Sequence, residues 1–196
     1  MIMRESLFKG PIIFPSNTYV VFRHGKTDWN IERRYQGHTN IPLNSDGEHQ
    51  ASTALIPFHP DRIFISPLLR TLQTAQRALS EHQHSFQIDE RLIERDGGEF
   101  EGQLYSDLLE KDSWVNWKTA DMDTILYSRF PNGESAMDVI YRIYNFISEL
   151  EQSYSNEVIL LVTHSGVNRA IGTLLIGSFD QVYLKGSIGN CEYKAY

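Results

Sequence analysis

Two periods organise the hydrophobic positions of this chain. Tyr19-Val20-Val21-Phe22 and Val158-Ile159-Leu160-Leu161-Val162 are unbroken apolar runs, the pattern of parallel strands covered on both faces. Three shorter runs, Arg62 to Ser66, Phe86 to Asp89 and Cys191 to Tyr196, predict further strands. Elsewhere the spacing is helical. It predicts helices over Glu48 to Phe58, Leu68 to Glu81 and Val167 to Ile176, and a strongly amphipathic one after Pro131-Asn132-Gly133-Glu134-Ser135. The last carries Met137, Ile140, Tyr141, Tyr144, Ile147, Ser148 and Leu150 at helical spacing; the second carries Leu68, Leu69, Leu72, Ala75 and Leu79. Asn44-Ser45-Asp46-Gly47 offers N-cap chemistry, and Ser66-Pro67 reads as an N-cap followed by proline at the first helical position. Residues 30–44 and 91–102 are polar and turn-rich, and 121–130 reads as a loop. The alternation of strands and helices predicts an α/β fold: three layers, α/β/α, with a central, mostly parallel twisted sheet.

Composition narrows the setting. A chain of 196 residues suits one domain, here expected over 17–196 behind an N-terminal arm at 1–16. The net charge of −7, with no lysine- or arginine-rich run, argues against nucleic acid and anionic membrane as partners. The single cysteine, Cys191, excludes an internal disulfide. No signal-peptide pattern and no run of membrane-spanning length is present, so a cytoplasmic location is expected. The sequence carries no signal that sets an oligomeric state.

Chemistry gathers where strands end. Phe22-Arg23-His24-Gly25 and Val162-Thr163-His164-Ser165-Gly166 each place a histidine just past a buried strand, followed by a chain reversal. In parallel neighbours both histidines lie at the carboxyl edge of the sheet, where open α/β proteins bind ligands. Arg70 opens the helix after the second strand and points to the same edge. Gln36-Gly37 and Asn132-Gly133 sit in loops able to offer backbone N–H groups to an anion. Arginine provides planar donors that match phosphate oxygens. His24 thus reads as a nucleophile and Arg23 as the group holding the phosphate it attacks. A structural ion cluster, with Asp28 or Glu94 pairing Arg23, is the competing reading. No His or Cys pair has ligand spacing on a helix, so no metal is expected. His38, His49, His59, His82 and His84 read as surface residues.

Taken together, these stretches resemble the histidine phosphatase superfamily, also called phosphoglycerate mutase-like. Arg23-His24-Gly25-Lys26-Thr27-Asp28-Trp29-Asn30 is similar to its Arg-His-Gly-x-Thr/Ser-x-x-Asn signature. The similarity continues in order through Tyr35-Gln36-Gly37, Pro42-Leu43-Asn44, Ser66-Pro67-Leu68-Leu69-Arg70-Thr71, Leu92-Ile93-Glu94, Pro131-Asn132-Gly133-Glu134-Ser135 and Thr163-His164-Ser165-Gly166. The resemblance implies a phosphatase acting on a small phosphorylated metabolite, with no cofactor; the alternatives are a cofactor-dependent phosphoglycerate mutase and a catalytically inert phosphate-binding module. It implies that His24 becomes a phosphohistidine, that Arg23, Arg70 and His164 bind the non-bridging oxygens, and that Glu94 moves the proton. Asn30 adds a donor, and Thr27, Gln36, Gly37 and Ser165 line the phosphate site.

The departures concern specificity. Asn40 stands where the family often has aspartate, Ser165 where glycine is common, and Phe100 where tryptophan is common. Gly97-Gly98 replaces an aromatic residue before the glycine, and Gly97 is expected to widen the wall beside the leaving group. Mutases of this family carry a basic lid after the glutamate. The lid-like segment 103–130 offers only Lys111, Lys118 and Arg129 against five acidic residues, which favours hydrolysis. Trp114, Trp117, Tyr105 and Tyr127 read as lid packing or as lining for a larger leaving group.

Overall fold

The computed structural model of the chain describes residues 11–80, 85–111, 119–177 and 186–196. Outside them fall the first ten residues of the expected arm, together with His82, His84, Trp114, Trp117 and Lys118. In chain order the described elements are β1 (Thr18–Arg23), α1 (Asp28–Ile31), α2 (Ser45–Thr53), β2 (Arg62–Ile65), α3 (Leu69–Ala78) and β3 (Gln87–Ile88). They continue as α4 (Tyr105–Leu108), α5 (Met122–Tyr127), α6 (Ala136–Ser153), β4 (Val158–Thr163), α7 (Ser165–Ile176) and β5 (Tyr193–Ala195).

The strands form one mixed sheet in the order β3-β2-β4-β1-β5, parallel throughout except for β5. Strand side chains alternate between faces, and here both faces are covered. Tyr19, Val21, Ile159 and Leu161 pack with Ile140, Ile143 and Ile147 of α6 and with Val167, Ile171 and Leu174 of α7. Val20, Phe22, Leu160 and Val162 pack against Ala75 and Leu79 of α3. This is the expected three-layer α/β/α arrangement, with β1 and β4 at its centre. α6 starts in a capping box between Ser135 and Asp138, a device worth about 1 kcal/mol. Among the described residues no helix is long and apolar enough to cross a membrane.

Several local expectations are corrected. α2 begins at Ser45 under an Asn44 cap and stops at Thr53, well short of Phe58. The residues after it, Ala54, Ile56 and Phe58, are instead laid on the core beside α3. α3 starts at Leu69, and its N-cap residue, Leu68, has no side chain able to cap it, so Ser66 is not the cap and is free for another task. Residues 121–130 are not all loop: Asp121 caps α5 through Thr124 N–H. Within the stretch 23–30 itself, Thr27 caps the single turn α1 and forms a capping box with Asn30. Leu69 and Tyr141 sit on the outer margins of their helical stripes, 36% and 57% exposed.

Candidate active site

The register of β1 on β4 pairs Arg23 with Thr163, so the next residue on each strand, His24 and His164, emerges side by side. Their ring centroids are 5.2 Å apart. His24 is buried, and its Nδ1 lies 2.7 Å from Gly25 O. A carbonyl only accepts, so Nδ1 carries the proton and Nε2 keeps its lone pair. Burial, then the charges of Arg70 and Arg23, hold the His24 pKa well below its ordinary value. The neutral, nucleophilic tautomer is the stable one. The backbone is clamped on each side: His24 N donates to Thr163 O, Gly25 N to Thr74 Oγ1, and Asn190 Nδ2 to His24 O.

Arg70 is fully buried. Its Nη1 donates to Thr39 O at 2.9 Å, its Nη2 to Gly37 O at 2.8 Å and its Nε to His164 Nδ1 at 3.3 Å. That uses three of the five guanidinium N–H donors. Because Nδ1 of His164 accepts, its Nε2 carries the proton and donates to Ser66 Oγ at 2.8 Å. Desolvation and the Arg70 charge keep His164 neutral, and desolvation pushes Arg70 down to about 10. Arg23 donates from Nη1 to Ile188 O at 2.7 Å, while its buried Nε has no protein acceptor. Neither Asp28 nor Glu94 forms an ion pair with it. The carboxylate of Asp28 lies 3.3 Å from the Asn44 amide, so a self-satisfied ion cluster does not account for the arrangement.

Glu94 joins the cluster from the loop after Leu92, beside the start of α7. Its carboxylate accepts from Arg95 N at 2.9 Å and from Gly166 N, in the first turn of α7, at 3.2 Å. A Cβ on Gly166 would sit 2.3 Å from Glu94 Oε1, so only glycine leaves the carboxylate there. The Glu94 charge acts on Arg23, Arg70 and Tyr105. Tyr105 is 43% exposed as a residue. Even so, desolvation and the Glu94 charge push its hydroxyl up to about 12. The loops around Glu94 are tied by Glu101, whose carboxylate accepts from His38 N, Thr39 N, Thr39 Oγ1 and Gly97 N. Gly37 has φ +53°, and a Cβ there would strike that carboxylate.

A family model described as "Histidine phosphatase superfamily (branch 1)" matches residues 19–195. The chain belongs to the histidine phosphatase superfamily. It is 30% identical over 173 residues to the uncharacterized phosphatase PhoE of Bacillus subtilis, covering 86% of this chain and 82% of that protein. It is 32% identical over 166 residues to the adenosylcobalamin/alpha-ribazole phosphatase of Escherichia coli, covering 80% and 78%. The crystal structure of a putative alpha-ribazole-5'-P phosphatase from Escherichia coli superimposes with a TM-score of 0.78 at 28% identity, covering 91% of this chain and 88% of that one.

Within this histidine phosphatase domain, the residues singled out in the sequence occupy different layers of the site. Arg23, His24, Arg70, Glu94 and His164 surround one space. Asn30 uses Oδ1 to accept from Thr27 N and Oγ1, which leaves its amide N–H donors uncommitted; buried Thr27 is their holder. Gln36 Oε1 is buried without a protein partner. Ser165 opens α7 next to His164. Asn132-Gly133 is not an anion nest, because Gly133 N donates to Phe130 O and Asn132 Nδ2 to Glu99. Gly97 does not widen the wall. A Cβ there would meet the Tyr35 ring at 2.6 Å, so the space is filled by Tyr35. His38 is half-buried rather than free on the surface: its side chain is 35% exposed, and its Nε2 donates to Glu94 O at 2.7 Å.

Sequence reasoning missed Ser66, Asn190, Glu101 and Arg142. The Asx pattern Asn40-to-Leu69 was also hidden: Asn40 Oδ1 accepts from Leu69 N and so caps α3, the service an aspartate would perform. Ser66 does carry a signal, a polar residue closing an apolar run, although Ser66-Pro67 reads equally as helix capping.

Proposed function

We propose that the protein is a cytoplasmic phosphomonoester hydrolase that acts through a phosphohistidine intermediate on a small phosphorylated metabolite, with no metal. The observation that carries this reading is the His24 tautomer, with Nδ1–H given to Gly25 O and an unprotonated Nε2 among arginines. In the first step Nε2 attacks phosphorus and the P–O bond to the alcohol breaks. Glu94, protonated at that stage, gives its proton to the departing oxygen. In the second step Glu94 takes a proton from water, whose oxygen attacks phosphorus. The P–N bond breaks and orthophosphate leaves.

The remaining residues hold charge. Arg23 Nε, the free donors of Arg70, the Asn30 amide, Gln36 and the Gly37 segment take the non-bridging oxygens, where charge concentrates in the transition state. His164 joins them by exchanging Ser66 for a phosphate oxygen at Nε2–H. Ser165 lines the entry to α7. The phosphatase names of the relatives support hydrolysis. So does the commitment of the two described cations of the lid-like segment: Lys111 is tied to Gln103, and Arg129 to Gly133 O and Asp138. With three basic against five acidic residues in its sequence, the segment suits retention of a doubly phosphorylated intermediate poorly.

The test is turnover of p-nitrophenyl phosphate with and without chelator. Wild type is expected to hydrolyse it equally in both, and His24→Ala in neither. Unchanged turnover by His24→Ala would sink the reading. With 3-phosphoglycerate and a trace of the bisphosphate, phosphate release is expected to exceed isomer interconversion; the reverse would make the protein a mutase.

A further inference from the structure

His38 lies outside the reacting cluster yet touches the one residue that the proposed chemistry asks to carry a proton. Its Nε2 is 2.7 Å from Glu94 O, so this nitrogen must carry a hydrogen. Its Nδ1 faces Asp96 Oδ2 at 3.9 Å. The ring is presented in this way because Glu101 fixes the backbone on which it stands: His38 N donates to Glu101 Oε1 at 2.6 Å, and Thr39 N to Oε2 at 2.8 Å.

From the other side Arg142 Nη2 donates to the same Glu94 carbonyl at 3.0 Å, with Arg142 held by Glu134 at 3.1 Å. Glu94 stands in no helix or strand, so no backbone ladder holds it. Its main chain is held by two side-chain donors from distant segments, and its carboxylate by two N–H groups. The same 37–39 segment supplies the carbonyls that orient Arg70. One short loop therefore sets the spacing between the phosphate-binding guanidinium and the carboxylate.

We propose that His38 is a positioning residue for Glu94: it registers the proton-transfer carboxylate against the phosphate by anchoring Glu94 O to the Gly37–Thr39 loop. The proposal rests on the reading of Glu94 as the group that protonates the leaving oxygen, and it makes a claim which a general packing role does not. Removing the His38 donor displaces Glu94 alone, so the loss must grow with the leaving group's need for a proton.

The experiment compares kcat/KM on p-nitrophenyl phosphate, whose phenolate leaves with little protonation, and on glycerol 2-phosphate, whose alkoxide requires it. kcat/KM reports phosphoryl transfer to His24 and is blind to the shared hydrolysis of the intermediate. For His38→Ala we expect roughly 10- to 100-fold loss on glycerol 2-phosphate and less than about threefold on p-nitrophenyl phosphate. His38→Gln places an amide donor at similar reach and should recover most of the difference. Should the alanine variant not fold, His38→Asn, polar but too short to reach the carbonyl, must show the same selectivity. Equal losses on the two esters, or no loss on glycerol 2-phosphate, would overturn the proposal. Glu94→Gln is measured alongside. Strong selectivity there with none in His38→Ala removes only the role of His38, whereas no selectivity in Glu94→Gln removes the reading of Glu94 and the proposal with it.

Discussion

The two halves of the site are held by different physics. His24 and His164 hang from the adjoining ends of β1 and β4, central strands whose register is enforced by backbone hydrogen bonds and by core packing on both faces. Moving either histidine would mean slipping a strand and turning its apolar side chains to the wrong layer. Glu94 has no such frame. It stands between two single 3-10 turns, Glu90–Leu92 and Gly98–Phe100, and is pinned by His38, Arg142, Arg95 N and Gly166 N. The proposed nucleophile is located by the fold and the proposed proton carrier by a polar network. Damage to the network should alter chemistry in proportion to proton demand. Damage at the strand ends should abolish chemistry outright.

The sharpest break of this contrast is His24→Ala. If His24 is the nucleophile as proposed, its loss should lower kcat/KM on every monoester by at least about 1,000-fold, while calorimetry finds a cooperative transition as in wild type. A smaller effect belongs to Gly166→Ala. Its new Cβ occupies the place of Glu94 Oε1, 2.3 Å away, and steady-state assays should find roughly 10- to 100-fold loss on alkyl phosphates with far less on aryl phosphates. Glu134→Ala strips Arg142 of its partner and frees the Asp96 N–H as well. Denaturant titration should read a loss of about 2–4 kcal/mol, near the range for a broken, largely buried pair, and activity should fall in the same leaving-group-dependent way.

The smallest expected effect is one of pH on stability, and it belongs to the strand-end half. Burial, with Arg70 and Arg23 close by, lowers the His24 pKa, and burial with Arg70 and His24 lowers that of His164. The unfolded chain takes up protons on these histidines below about pH 6.5, the ordinary histidine value, whereas the native chain does not. Stability is therefore complete above that pH and declines as pH falls below it toward the folded values. Thermal melts should show Tm dropping between pH 7.5 and 5.5. The drop should be smaller in His24→Ala, which lacks one of the two groups. A drop that is unchanged in that variant would detach the pH dependence from the site.

The same contrast explains what was legible in the sequence. The strand-end half is local: unbroken apolar runs, each followed by His and a glycine, announce themselves within ten residues. Arg70 could be placed from its position after β2. The network half joins residues far apart in the chain. His38 meets Glu94 across 56 positions and Arg142 meets it across 48, and no local pattern marks either partner. Gly97 misled for a related reason. An absent side chain looks like space in a sequence, yet Tyr35 occupies it. A polar residue before a helix looks like a cap in a sequence even where, as with Ser66, its partner is a distant side chain, here His164.

The central claim is that His24 forms the covalent bond and Glu94 moves the proton. Its most direct test is to quench the reaction with a labelled phosphomonoester and locate the phosphate on the protein, in wild type and in Glu94→Gln. The account predicts a phosphoryl group on the His24 peptide, labile to acid and stable to alkali. The group should persist longer in Glu94→Gln, where water lacks its base. Label on another residue, or turnover of the ester with no labelled protein at any time, would contradict it.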